Sequence, residues 1–125
     1  MESEVIKRFA IDVLGCGCDD SVFNRIEQSR SYRLPSGITL SSRILIGGKL
    51  LIYIAENKSV SPADLKAVVR DGLEERDSSG YNRLRVVIKT ESPDADTPRY
   101  SKSFNEISVR DDKTHLHVLS RSESL

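Results

Sequence analysis

An α+β fold is predicted by three observations. Apolar residues recur at helical spacing over residues 3–14 and 61–78. A near-continuous apolar run, Leu50-Leu51-Ile52-Tyr53-Ile54, follows a glycine pair and reads as a strand buried on both faces. A strand, the 61–78 helix and a second strand succeed one another over about forty residues, the spacing of a right-handed parallel crossover. Together they predict two N-terminal helices packed on a mixed sheet of about five strands, with a β-α-β crossover and a terminal hairpin. The expected division is one domain over residues 1–125. Residues 1–28 form a helical part, 38–120 the sheet with helix 61–78, and 121–125 a frayed tail.

In the first helix Val5, Ile6, Phe9, Ala10, Val13 and Leu14 make the apolar side. Ser3 is placed to cap it, Glu4 suits its positive end, and Gly15 suits a left-handed terminus. A second, shorter helix is expected from Asp19 or Asp20, with Val22, Phe23 and Ile26 as its apolar side. Residues 28–37 show no periodicity and read as a loop with Pro35-Ser36-Gly37 as a turn. Arg30, Tyr32 and Arg33 lend that loop a basic, aromatic character. It is read either as a solvated connection or as a contact surface for a phosphate or a partner.

From Ile38 the pattern turns to strand. Ile38, Leu40 and Ile44-Leu45-Ile46 lead into Gly47-Gly48, which suits a tight hairpin because both glycines can take positive φ. No further glycine and no Lys-Ser/Thr follows at phosphate-loop spacing. Helix 61–78 has Ser61 as cap, Pro62 at its first position and Asp64 as a first-turn acid, with Leu65, Val68, Val69 and Leu73 as its stripe and Gly80 at its end. Leu84, Val86 and Ile88 mark a strand over 81–90, with Val87 on its other face. Residues 91–97 are acidic and contain Pro93, with Pro98 following, and read as a loop. Strands over 105–110 and 114–120 are expected to pair through Asp111-Asp112-Lys113. A short helix over 100–107 is the alternative for the first of them.

Composition removes several classes of function. Nineteen basic residues balance nineteen acidic ones, which disfavours a strongly basic nucleic-acid binder or a polybasic membrane binder. The chain has no Trp and so lacks the usual stacking platform for single strands. No apolar run approaches the roughly 20 residues that span a bilayer. Met1-Glu2-Ser3-Glu4 does not resemble a secretory start, so the expected compartment is the cytoplasm. There, two close thiols point to metal or redox chemistry or to simple packing, rather than to a structural disulfide.

Cys16-Gly17-Cys18 is the most unusual chemical feature. Cysteines two positions apart fall within disulfide reach, and the intervening glycine allows a tight turn. The small ring formed would be strained and therefore easily reduced. A helix start lowers a thiol pKa, whereas Asp19 and Asp20 beside it oppose a thiolate. The two histidines, His115 and His117, alternate in a strand and so share a face. With Cys16 and Cys18 they make a possible tetrahedral set for zinc. The competing reading makes the cysteines small buried hydrophobes between two helices, with Leu116 and Val118 facing the core and the histidines on the outer face. Adjacent carboxylates such as Asp19-Asp20, Glu74-Glu75 and Asp111-Asp112 read as caps, a solvated helix face and a turn rather than as an acid/base pair.

Two functions are therefore carried forward. The first is a small soluble protein-binding or regulatory module without evident catalysis and without a required cofactor, its partner another protein. The second is a thiol-redox or metal-binding protein centred on Cys16-Gly17-Cys18. An apolar edge beyond Ile44–Ile46 would suit a dimer, subject to the strand order.

Overall fold

The structure is a computed structural model that describes residues 6, 8, 9, 11, 25–107 and 113–120. In chain order its elements are β1 (Ile26–Arg33), β2 (Thr39–Ile46), β3 (Leu50–Glu56), α1 (Leu65–Ser79), β4 (Arg83–Thr90), α2 (Pro93–Asn105) and β5 (Thr114–Ser120). The strands form one mixed sheet in the order β1-β2-β3-β4-β5. β1, β2 and β3 are an antiparallel meander, and β3, β4 and β5 run parallel.

The apolar run is the centre of the sheet, as its composition predicts. Leu51, Tyr53 and Ala55 point to the face covered by α1 and α2, where they meet Leu65, Val68, Val69, Leu73, Tyr100 and Phe104. Leu50, Ile52 and Ile54 point to the other face and form a second cluster with Ile44, Ile46, Val87, Ile6 and Phe9. Of the predicted first helix, Ile6, Arg8, Phe9 and Ile11 are described and have helical backbone. Ile6 and Phe9 are buried against the sheet.

Local signals set several boundaries correctly. Gly47 and Gly48 have φ of +62° and +64°, and the Lys49 amide donates to the Ile46 carbonyl at 3.1 Å, the requirements of a type I′ turn. The start of the 61–78 helix is later than expected: Asp64, not Ser61, is the N-cap, and Ser61 and Asp64 bond reciprocally in the turn before it. The Asp64 amide donates to Ser61 Oγ at 3.3 Å, and the Ser61 amide donates to Asp64 Oδ2 at 3.2 Å. The regular helix begins just after this turn, at Leu65. Gly80 ends α1 in the left-handed region, with its amide donating to the Arg76 carbonyl.

Several expectations are overturned. The segment around 28–37 is not a loop over its first half, because residues 26–33 are strand β1. Ile26, expected on a second helix, opens that strand opposite Ile46. β1 is an edge strand of mostly exposed polar residues, so it carries no apolar alternation for a sequence reading to find, and its pairing comes from β2. Ser31 has φ of +50°. Beyond it Tyr32 and Leu40 join the helix-covered cluster, although Ile44 and Ile46, of the same alternation as Leu40, lie on the opposite face.

Residues 91–97 are not a loop either. Pro93 stands in the first turn of α2 and Asp94 and Asp96 follow it, an arrangement favoured at a helix start. Thr90 Oγ1 donates to Asp96 Oδ2 at 2.6 Å and accepts from the Ser92 amide at 3.2 Å, which folds the end of β4 into the helix. Tyr100 donates to the Val60 carbonyl at 2.5 Å and pins α2 beside the start of α1. The helix alternative over 100–107 was therefore nearer the truth than a strand. Among the described residues β5 takes part in no hairpin and instead pairs parallel to β4, in register from Leu84 opposite Thr114 to Thr90 opposite Ser120. Both helices with described bounds lie in crossovers between strands rather than at the N-terminus. Ile44–Ile46 belongs to β2, which lies between β1 and β3, so it offers no sheet edge for a dimer.

Gly72 sets how closely α1 approaches the sheet. A Cβ there would stand 2.7 Å from Leu84 Cδ2 and 3.1 Å from Tyr53 Cε2. Both neighbours are fully buried, and Tyr53 is also held by its hydroxyl. Gly72→Ala therefore lowers stability by about 1 kcal/mol, because overpacking of roughly 1–3 kcal/mol outweighs the helix-propensity gain of about 1 kcal/mol. Urea unfolding measures the difference.

Candidate functional site

Three places hold the chemistry of the described residues: a polar tie between α1 and the meander, the β4–β5 face opposite α1 and α2, and the β1 edge. At the first, Glu75 of α1 accepts from Arg43 Nε at 2.8 Å and from Arg43 Nη2, and its other oxygen accepts from Tyr53 Oη at 2.5 Å. Arg43 lies 5.3 Å from the centre of the Tyr32 ring. Burial works to lower the Arg43 pKa, but the hydrogen bond and charge of Glu75 outweigh it and the net direction is upward. Burial, followed by Glu75, pushes the Tyr53 hydroxyl well above its ordinary range.

A shallow cavity of about 260 Å³ opens beside this tie, between Tyr32, Pro35, Asp71, Glu74 and Ser78. The Ser36 amide donates to Asp71 Oδ2 at 3.1 Å and closes one side. Both Glu75 oxygens are occupied and Tyr53 is held protonated. Neither is poised to take a proton from a substrate. The tie locks α1 to β2 and β3 and leaves Tyr32 beside the β1 edge.

The histidine pair stands as the alternation predicts. His115 and His117 share the face of β5 opposite α1 and α2, while Leu116 and Val118 pack on the helix-covered core. Beside them on β4, Arg83 and Arg85 share that face, since Leu84, Val86 and Ile88 point the other way. Arg85 Nη1 donates to His117 Nε2 at 3.4 Å. A guanidinium can only donate, so this nitrogen must accept and the ring proton sits on Nδ1. Burial, then the charges of Arg85 and His115, lowers the His117 pKa to about 4. Burial and Arg83 also lower that of Arg85.

Cys16 and Cys18 lie outside the described residues, as do Asp19 and Asp20. Whether the thiols meet the histidines is thus not part of this geometry. Among the described residues no group of three or more His, Cys, Asp or Glu side chains converges on a metal position, and none of their helices is long and apolar enough to cross a membrane.

Arg30, Tyr32 and Arg33 lie in β1, where they pair with Ser42, Leu40 and Thr39. Arg30 and Arg33 are exposed and Tyr32 is half-buried. Sequence reasoning selected these residues and missed their setting. It also missed Glu75 and Arg85. Glu75 read as part of a solvated helix face. Arg85 sits between Leu84 and Val86 within a strand whose middle is apolar, and that misplaced charge was a usable signal. Comparison of the chain with protein-family models, curated proteins and solved structures finds no match.

Two outcomes follow from these sites. Glu75→Gln costs about 1–3 kcal/mol because it weakens bonds to a charged group, while Tyr53→Phe costs only about 1 kcal/mol because the carboxylate keeps Arg43. Chemical denaturation of the two variants and their double mutant gives both values and the coupling. For His117, the folded pKa near 4 lies below the unfolded value near 6.5. The unfolded chain therefore binds more protons between these values, so stability is full above about pH 6.5 and falls as pH drops toward 4. His117→Gln flattens this part of the stability–pH curve, and ring-proton NMR of the wild type places the His117 midpoint well below that of an ordinary imidazole.

Proposed function

We propose that this domain is a non-catalytic protein-binding module that takes an acidic, extended segment of another protein along β1. The observation that carries the reading is the strand itself. Among the described residues β1 is an edge, and five of its eight residues are exposed. An extended peptide can add to such an edge by main-chain hydrogen bonds, with alternate side chains supplying selectivity. Charge supports an acidic partner: residues 25–33 carry Arg25, Arg30 and Arg33 against Glu27. Basic side chains also guard an edge against indiscriminate pairing, so the same arginines select by charge which strand is admitted. Tyr32 adds an aromatic contact of fixed orientation, since Arg43 holds its ring.

The absence of a poised acid/base pair at Glu75 and Tyr53 fits a binding role better than catalysis. The rigid tie to α1 supports it too, because a preformed edge loses less freedom on binding. A displayed library of random extended peptides provides the test. Acidic sequences are expected to enrich, the amides of residues 26–33 to shift when such a peptide is added, and Arg30→Glu with Arg33→Glu to weaken binding by about tenfold or more. Failure to enrich any peptide, or enrichment of peptides that are indifferent to the double reversal, overturns the reading.

A further inference from the structure

The buried and half-buried arginines are unequal in one respect. Arg76 is buried but donates to Asp77 Oδ1 at 3.0 Å and to Thr114 Oγ1 at 3.3 Å. Arg43 has Glu75. Arg85 is only 8 % exposed and meets no carboxylate among the described residues. Its side chain reaches the His117 ring, the charge of Arg83 acts against it, and its Nε is a buried nitrogen with no hydrogen-bond partner among the described residues. A buried guanidinium left in this state is costly, and an apolar side chain of similar size usually serves the fold better. Arg85 therefore lacks a structural reason to be charged, and the partner its geometry lacks is an anion.

The surroundings define which anion. Arg83, Arg85, His115 and His117 share the β4–β5 face opposite α1 and α2, and the side chains of β3 nearest to Arg83 and Arg85 are Leu50 and Ile52. The first two are permanent cations, and the His117 ring, with Nε2 accepting from Arg85, carries its N–H at Nδ1. A carboxylate brings one charge on two oxygens and matches a single guanidinium fork. A phosphate monoester has close to two charges and three terminal oxygens, enough for the Arg85 fork and a neighbouring donor together.

We infer that the Arg83, Arg85, His115 and His117 face of β4–β5 binds a phosphate-monoester dianion, with Arg85 as its principal donor. The site is separate from β1, so it goes beyond the peptide reading and does not depend on it. Bound phosphate accepts from Arg85 and supplies the charge that the apo site lacks. His117 holds the Arg85 Nη1 arm in place through its unprotonated Nε2 and acts as a positioning residue.

The test uses the full chain labelled with ¹⁵N and follows the arginine Nε–H and histidine ring signals. Inorganic phosphate and phenyl phosphate are titrated, with sodium acetate and sodium chloride added at matched ionic strength. The expected result is a saturable shift of the Arg85 Nε–H with both phosphates, and binding of acetate at least about tenfold weaker. Arg85→Met is expected to abolish that binding while unfolding at a urea concentration no lower than wild type, because it removes an uncompensated charge. His117→Gln retains an acceptor for the guanidinium and is expected to weaken phosphate by about threefold or more without loss of fold. A response to chloride equal to that to phosphate, equal binding of acetate, or phosphate binding that survives Arg85→Met overturns the proposal. So does a clear loss of stability in Arg85→Met, which would make the guanidinium structural.

Discussion

Burial of β3 on both faces is the constraint on which the rest of the structure depends. A strand with Leu50, Ile52 and Ile54 on one side and Leu51, Tyr53 and Ala55 on the other cannot lie at an edge or leave one face to water. It needs a strand on each flank and a covering layer on each face. The meander supplies β2 and the crossover supplies β4. α1 and α2 cover one face, and Ile6 and Phe9 contribute to the cover of the other. Gly72 then allows α1 to lie close enough for its stripe to reach Leu84 and Tyr53.

Within this frame the polar groups divide by whether they are completed by the chain itself. Glu75 satisfies Arg43 and Tyr53 and joins α1 to two strands at one point. Arg76 ties the last turn of α1 to the first residue of β5. These contacts orient packed elements, as buried polar groups with full sets of partners do. Arg85 is different, since its fork faces an imidazole and its Nε faces no acceptor. The contrast separates a charge that serves the fold from one that awaits something outside it. A similar division applies to the backbone: β3 and β4 have neighbours on both sides, whereas β1 ends the sheet among the described residues.

The parts of the candidate sites that could be read from sequence were those governed by short-range periodicity. The shared face of His115 and His117 follows from alternation alone, and so does the burial of Leu116 and Val118 beneath them. Arg30, Tyr32 and Arg33 stood out by composition, but the strand around them did not, because a polar edge strand has no apolar period to detect. Arg43 and Glu75 are thirty-two positions apart, and nothing local to either residue marks the other as its partner. Arg85 and His117 are similarly distant, and only the parallel register of β4 and β5 brings them together.

The sequence by itself determined the α+β class, the central position of β3, the Gly47-Gly48 turn, the Gly80 end of α1 and the parallel crossover. Each depends on residues within one turn, one strand or one crossover, where φ preference, capping and apolar period act directly. Only the tertiary structure decided that 26–33 is a strand, that α2 occupies the acidic 91–97 region, that β5 joins parallel to β4, and that Arg85 meets no carboxylate among the described residues. The reason is common to all four. A polar strand becomes a strand when a neighbour offers its hydrogen bonds, a helix with few apolar residues becomes stable when Tyr100 and Phe104 find a core, and a charge becomes unpaired only when distant chain segments close around it.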